Sequence, residues 1–299
     1  MIERLAIACM GTRFELVLAG EDRSFLRAAG EEALAEIEAC DRRLSRFRSD
    51  SVLSHINRTA ALAPVQVDDE LFELLVICED VWRASSGAFD VSIGAWMQSD
   101  NSDVCPANER AEARVGWESV ELQRPQMRVS FAHPDLKLDL GAIGKGFALD
   151  SAARALADAG VARALLHGGT STALAVGRPS DEHAWTISAG PERDAPRVRL
   201  AHRALSVSAP RPGATSSAHV LDPLSGHAPS GHARAAVIAP NATLADAWST
   251  ALLVTGDLAG LPADCDGAIA VASPSQLEWT RSTAEDSPFQ FPEIEASVQ

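Results

Sequence analysis

Hydrophobic and polar residues follow two different periods along this chain, and each period predicts one kind of element. Alternation over residues 5–9 and 13–18 predicts two short paired strands joined by a glycine-containing bend. Apolar residues then recur every three to four positions over 26–46 and again over 71–82, which predicts two amphipathic helices separated by a loop. We place the N-cap of the second helix at Asp69.

The second half of the chain alternates strand-like runs with two further helices. Gly160 and Gly256 follow the predicted helices 144–159 and 244–253, and glycine is common directly after a helix. Residues 98–113 are polar and predict a loop. The strand-like runs lie at 137–140, 162–166, 184–189, 198–200 and 235–239. The fold class predicted from this order is α+β or α/β-like, with mixed sheets and packed helices.

The composition is that of a soluble globular protein, because hydrophobic residues make up 46% and charged residues only 22% of the chain. The 299 residues include 41 acidic and 26 basic side chains, which give a formal net charge of −15. A field of this sign repels phosphate backbones and anionic membranes, so nucleic acid is not an expected partner. Binding of a polyphosphate would need a divalent cation between the two anions.

Neither a disulfide framework nor a membrane segment is expected. The five cysteines are odd in number and form no CxxC pair, so disulfides are not required. The sequence contains no window of ~18 uninterrupted apolar residues and no signal-peptide pattern. We therefore expect a cytoplasmic protein without a transmembrane segment.

Residues 138–147 combine an apolar run, glycines and a lysine at the start of a predicted helix. Backbone N–H groups at a helix start can bind an anion, glycines allow close approach, and Lys145 adds a positive charge. The segment lacks the GxxxxGK[ST] pattern of a P-loop, so a purely structural tight turn is an equal alternative.

Asp246 and Thr250 lie four residues apart in a predicted helix and therefore share one face. A carboxylate and a hydroxyl one turn apart suit Mg²⁺, which prefers oxygen ligands and keeps water or substrate phosphate in its shell. The alternative is that Asp246 only complements the helix dipole while Thr250 packs.

Two further segments contain chemically useful side chains. Residues 219–226 form a predicted short strand and a Pro/Gly turn that begins at His219, a side chain able to transfer protons near neutral pH. Residues 86–90 end a helix with small residues, an aromatic ring and an acid, which could stack on and bind a heterocycle. The alternatives are a structural histidine and an ordinary C-cap turn with Phe89 buried.

Seven short motifs, in a fixed order between Met10 and Gly256, resemble those of one enzyme family. They lie at 10–12, 44–57, 87–90, 139–150, 168–169, 219–226 and 245–250. The fourth is similar to a DLxxIxKGYxxD segment, the sixth to HxxDPxTG and the last to ADAxxT. Together they resemble the ApbE-like family of FAD:protein FMN transferases.

The resemblance implies an α+β flavin transferase fold and a specific reaction. Residues 1–282 would form one domain, which could divide into two subdomains with the nucleotide site between them, and 283–299 would be a C-terminal tail. The enzyme would bind FAD with Mg²⁺ and cleave the pyrophosphate. It would transfer FMN to a threonine or serine hydroxyl of an acceptor flavoprotein and release AMP.

The resemblance also implies roles for individual residues. The carbonyl of Ala142, the carboxylate of Asp246 and the hydroxyl of Thr250 would hold Mg²⁺, and His219 would accept the proton of the incoming hydroxyl. Lys145 would contact the anion or pair with a nearby carboxylate. The residues matched to positions that bind the cofactor are Met10, Phe47, Asn57, Ala88, Phe89, Asp90, Asp139 and Lys145.

Two other functions remain open at the level of sequence. An FAD pyrophosphatase would use the same ligands with water as the acceptor, giving FMN and AMP. A non-catalytic FAD-binding protein would need the flavin pocket alone. The presence of Asp246, Thr250 and His219 together favours an enzyme, because a carrier does not need this combination.

Overall fold

The computed structural model describes residues 1–98, 116–180, 183–192, 195–210, 220–272, 277–282 and 288–290. Within these ranges the helices are α1 Arg23–Leu44, α2 Val52–Thr59, α3 Asp69–Ala84, α4 Gly144–Asp158 and α5 Ala242–Thr255. The strands are β1 Ile2–Cys9, β2 Thr12–Ala19, β3 Val65–Gln66, β4 Val120–Gln123, β5 Arg128–Phe131, β6 Ala164–Gly168, β7 Thr172–Val176, β8 Trp185–Ser188, β9 Arg197–Leu200, β10 Ala204–Ser208, β11 Arg234–Ala239, β12 Asp266–Ala272, β13 Leu277–Arg281 and β14 Phe289–Gln290.

An eight-stranded antiparallel sheet in the order β1-β2-β6-β7-β10-β11-β12-β13 is the centre of the fold. Successive residues of a strand point to opposite faces, so the apolar run of β11 supplies two cores. Val237 packs in the main core with α1, α4 and α5. Its neighbours Ala236 and Ile238 pack in a second core beneath the three-stranded sheet β14-β9-β8.

The helices predicted from hydrophobic period are confirmed. Helix α1 buries the stripe Leu26, Ala29, Ala33, Ile37, Cys40 and Leu44. Its N-cap is Asp22, whose carboxylate accepts the N–H groups of Ser24 and Phe25. Gly160 and Gly256 follow α4 and α5 with φ of +91° and +64°, values that glycine adopts without steric cost.

The first two strands also form the predicted hairpin. Met10 and Gly11 are its two turn residues, with φ of +49° and +68°, and Cys9 pairs with Thr12. A two-residue turn in which both φ values are positive matches the right-handed twist of the flanking strands. The turn therefore presents the side chain of Met10 at one end of the sheet.

Several local expectations are wrong. The N-cap of α3 is Asp68, one residue before the position expected, and its side chain accepts the N–H of Leu71. The expected loop before α3 contains the short helix α2. Residues 137–140 join none of the sheets, since Lys137 makes only an isolated bridge to Ile93.

Two expectations fall partly outside the described ranges. Most of the loop expected at 98–113 lies there, as do most residues of the segment expected to be a tail. Within that segment β14 pairs with β9, and Phe289 is buried in the second core. No helix in the described parts of the chain is long and apolar enough to cross a membrane.

Candidate active site

Asp246 lies in the second turn of α5 and is only 4% exposed. Its Oδ1 accepts hydrogen bonds from the hydroxyls of Thr172 at 3.1 Å and Ser206 at 3.0 Å. Its Oδ2 accepts the N–H of Gly146 at 3.0 Å and lies 3.8 Å from Nζ of Lys145. Both carboxylate oxygens therefore have donors, which compensate for the burial of the group.

Helix α4 reaches Asp246 because residue 146 has no side chain. A Cβ at Gly146 would lie 2.1 Å from the carbonyl oxygen of Ala242, a backbone atom that cannot move aside alone. Gly146 is the third residue of α4, so its N–H has no partner within the helix. It donates to Asp246 instead.

A second carboxylate, that of the partly buried Asp150 in α4, holds the start of α5. It accepts the N–H groups of Ala242 at 2.9 Å and Thr243 at 2.8 Å, and also the Thr243 hydroxyl. Burial raises the pKa of Asp150, and these hydrogen bonds oppose the rise. One carboxylate from each of α4 and α5 thus accepts backbone N–H groups at the start of the other helix.

Thr250 lies one turn after Asp246, and the predicted proximity of the two residues is found. The Thr250 hydroxyl donates to the backbone carbonyl of Asp246 at 3.3 Å and lies 3.3 Å from Oγ of Ser208. Because its proton is directed to a carbonyl, the lone pairs of the Thr250 oxygen remain for an acceptor role.

The donors at this junction fit Mg²⁺ in chemical type. A carboxylate, a hydroxyl and a backbone carbonyl are hard oxygen ligands, and Mg²⁺ is commonly bound by one or two carboxylates together with water and substrate phosphate. No group of three or more His, Cys, Asp or Glu side chains among the described residues is placed so that it could hold a metal ion. The donors that the resemblance assigns to Mg²⁺ are of mixed type, from Asp246, Thr250 and Ala142.

Asp139 lies just before α4 and holds the side chain of Arg46. Its Oδ2 is 2.8 Å from Nε of Arg46, and its Oδ1 accepts the N–H of Gly141 at 2.8 Å. The Arg46 guanidinium lies 4.1 Å from the ring centroid of Phe47, which is 82% exposed. The ring of Phe47 is therefore backed by a cation on one side and open to a planar ligand.

The carboxamide of Asn57 is occupied by the backbone of Leu138. Its Nδ2 donates to the Leu138 carbonyl at 2.9 Å, and its Oδ1 accepts the Leu138 N–H at 2.8 Å. The backbone carbonyl of Asn57 also accepts a hydrogen bond from Nζ of Lys137 at 2.6 Å. Asn57 therefore holds the segment that carries Asp139 to the site.

We expect Asn57→Ala to lower the free energy of unfolding by about 2–4 kcal/mol, because two backbone groups lose their partner. Urea denaturation measures this loss. His55→Ala, at an exposed position of the same helix, is the matched control and should stay near the wild-type midpoint. Wild-type stability of Asn57→Ala with much weaker FAD binding would instead place Asn57 in contact with the ligand.

The segment 88–90 is buried. Phe89 is 2% exposed and packs in the main core. This agrees with the alternative interpretation of the segment, an ordinary C-cap turn with Phe89 buried. Asp90 accepts the N–H groups of Ser92 at 2.7 Å and Trp117 at 3.1 Å, and burial raises its pKa. Ala88 is also buried.

His219 lies outside the described residues, and the chain is described again from Val220. Residues 220–222 do not form the expected strand. The turn itself is present, because the N–H of Gly226 donates to the carbonyl of Asp222 at 2.7 Å and Gly226 has φ of +68°. Leu221 is buried against Trp96, which fixes the chain directly after His219.

Sequence reasoning missed Arg46 and the hydroxyls around Asp246. Thr172, Ser206 and Ser249 are buried in strands or a helix that otherwise read as apolar. Buried hydroxyls in such runs are a signal that they have polar partners. The pattern does not say which partner, because the contacts join residues as far apart as 172 and 246.

Comparison with known proteins adds a family match to this geometry. A model of the ApbE family matches residues 10–263. A protein of Klebsiella pneumoniae (strain 342) named FAD:protein FMN transferase is 25% identical over 272 residues, covering 83% of this chain and 77% of that protein. A Treponema pallidum (strain Nichols) protein of the same name is 32% identical over 143 residues, or 44% of this chain and 40% of that protein.

Solved structures share the fold. The apo form of the Pseudomonas stutzeri flavinyl transferase ApbE is 25% identical, covers 98% of each chain and has a TM-score of 0.83. The ApbE protein of Thermotoga maritima is 23% identical, with a TM-score of 0.82 over 95% of this chain and 97% of that chain. The α+β class predicted from the sequence is confirmed.

Proposed function

Because the chain belongs to the ApbE family, we propose that it transfers FMN from FAD to a threonine or serine hydroxyl of an acceptor flavoprotein, uses Mg²⁺ and releases AMP. The chain is a transferase by family and by structural likeness. The observation that carries the proposal is the meeting of α4 and α5 at Asp246, where hard oxygen donors lie next to a lysine.

The metal would be held by the carboxylate of Asp246, the hydroxyl of Thr250 and the carbonyl of Ala142. Mg²⁺ at that place supplies neutralisation of the charge on the pyrophosphate oxygens. The chain's own residues keep these donors in place through the buried hydrogen bonds of Asp246. A site set before the substrate arrives does not have to reorganise during the reaction.

Lys145 and the start of α4 would bind the anionic part of FAD. The Lys145 Nζ donates to the Gly141 carbonyl at 3.4 Å and lies 3.8 Å from Asp246, so its charge stays at the junction. The N-terminal end of the α4 dipole is also positive, so it adds to the attraction of Lys145 for an anion. Pairing with Asp246 and contact with phosphate are compatible roles, because the ammonium has three donors.

Flavin recognition would come from the neighbouring surface. Phe47 offers an exposed ring for stacking, backed by Arg46, which Asp139 holds. Met10, at the tip of the first hairpin, would add an apolar contact. Asn57 and the buried segment 88–90 would act by fixing the backbone around this surface.

His219 would accept the proton of the attacking hydroxyl. We expect His219→Ala to lower the rate of FMN transfer by about 10²–10⁴-fold, the usual worth of a general base, and to change FAD affinity little. Single-turnover kinetics and FAD titration separate the two effects. His183→Ala, a change at an exposed histidine, is the control. Much weaker FAD binding with an unchanged rate would make His219 a binding residue.

Mass spectrometry tests the proposed function. The purified chain is incubated with FAD, an FMN-free acceptor domain, and either Mg²⁺ or EDTA. We expect the acceptor to gain the mass of FMN only with Mg²⁺, and peptide mapping to place it on a threonine or serine. AMP and FMN released beside an unmodified acceptor would identify a pyrophosphatase, and intact bound FAD a carrier.

A further inference from the structure

A continuous chain of hydroxyl groups connects the side chains of Asp246 and Thr250. The Ser206 hydroxyl donates to Oδ1 of Asp246 at 3.0 Å. The Ser249 hydroxyl has one proton and two acceptors in reach, Oγ of Ser206 at 3.2 Å and the backbone carbonyl of Asp246 at 3.0 Å. The Ser208 Oγ then lies 2.8 Å from that of Ser249 and 3.3 Å from Oγ1 of Thr250. The Asp246 carboxylate thus lies at one end of a series of hydroxyl contacts that reaches the Thr250 side chain.

The sheet supplies the fixed part of this network. Thr172 in β7 and Ser206 in β10 are register partners, and their hydroxyl oxygens are 3.3 Å apart. Both donate to Oδ1 of Asp246. Ser206 and Ser208 are two residues apart in β10 and therefore face the same side, toward α5. Thr172 and Ser206 are almost completely buried.

These hydrogen bonds restrict the carboxylate of Asp246. Oδ1 accepts two hydroxyls from the sheet, and Oδ2 accepts the N–H of Gly146 from α4. Rotation of the carboxylate would break bonds on both oxygens inside a buried site, where unpaired polar groups are costly. Oδ2 keeps acceptor capacity, because a carboxylate oxygen has two lone-pair sites and, among the described residues, only the Gly146 N–H donates to it.

We propose that Thr172 and Ser206 are positioning residues that set the orientation of the Asp246 carboxylate. The carboxylate then meets a divalent cation in one preset orientation. Outer hydrogen bonds of this kind commonly change metal affinity by about 10–100-fold. The inference rests on the metal assignment of the proposed function.

A packing role and a positioning role make different demands on Thr172. Packing of α5 on the sheet needs the volume of the side chain, whereas positioning needs its hydroxyl. Thr172→Val keeps the volume and removes the hydroxyl. Thr172→Ser keeps the hydroxyl and removes a methyl group. The pair therefore separates the two roles at one position.

Mn²⁺ binding to the full chain, without flavin, is the direct test. The electron paramagnetic resonance signal of free aqueous Mn²⁺ gives the dissociation constant for each variant, and thermal unfolding reports whether it is folded. We expect Thr172→Val to weaken Mn²⁺ binding about tenfold or more, and Thr172→Ser to stay within about threefold of wild type. Ser206→Ala should weaken binding like Thr172→Val.

Three results would overturn the inference. Wild-type Mn²⁺ affinity in both folded hydroxyl-deleting variants would show that the hydroxyls do not act on the metal site. Equal losses in Thr172→Val and Thr172→Ser would identify packing as the cause. Absence of Mn²⁺ binding in wild type would contradict the metal assignment as well, whereas the first two results leave the proposed function intact. If Thr172→Val does not fold, Ser206→Ala decides alone.

Discussion

Replacement of Asp246 by asparagine is expected to lower the rate of FMN transfer by about 10³-fold. A bound divalent cation is worth several kcal/mol of transition-state stabilisation, and each 1.4 kcal/mol or so is a factor of ten in rate. Asparagine keeps the shape of the side chain but removes its charge. Its NH₂ group is a hydrogen-bond donor and would face other donors, either the Gly146 N–H or the hydroxyls of Thr172 and Ser206.

The measurement is the Mg²⁺ dependence of the transfer rate, together with FAD binding followed by flavin fluorescence. Asp150→Asn is a matched control, because Asp150 is the other carboxylate that joins the same two helices. We expect this control to lower the unfolding temperature but to keep the wild-type Mg²⁺ dependence. Wild-type transfer by Asp246→Asn would remove Asp246 from the metal site.

Gly146→Ala is expected to destabilise the protein by about 3 kcal/mol or more, the upper range for a forced core contact. The new Cβ would lie 2.1 Å from the Ala242 carbonyl oxygen and 2.8 Å from the Thr243 nitrogen. Both are backbone atoms at the start of α5. Relief of the contact must separate α4 from α5, which lengthens the bond from residue 146 to Asp246.

Gly144→Ala provides the control in the same turn of α4. Its Cβ would meet only Cδ1 of Leu44, at 4.0 Å, which is an ordinary contact. Alanine in a helix is favoured over glycine by up to about 1 kcal/mol, so we expect equal or higher stability. Urea denaturation compares the two variants. Equal stability of both would contradict the close approach of the two helices.

The long helices could be predicted because their burial is periodic. Helices α1 and α3 bury one stripe each, so their bounds follow the apolar residues to within a few positions. Helix α2 has only eight residues, fewer than the roughly 11–18 residues over which a helical period is normally read. The run 137–140 alternates like a strand, but Leu138 bonds to the side chain of Asn57 and Asp139 to the carbonyl of Val91.

The candidate site could be predicted only in part. Asp246 and Thr250 belong to one helix, so the spacing of four places them together. The hydroxyls of Thr172 and Ser206 reach Asp246 because of the register of β7 and β10, which is a property of the assembled sheet. The sequence does not distinguish a Phe89 ring that contacts a ligand from one that packs in the core, and the structure places the ring in the core.

The central claim is that the site at Asp246 transfers FMN to a protein hydroxyl. It is tested most directly by quantifying AMP and flavinylated acceptor in one reaction containing FAD and Mg²⁺. The account predicts equal amounts of both products and little AMP when the acceptor is omitted. AMP formed at the same rate without acceptor, or beside an unmodified acceptor, would contradict it.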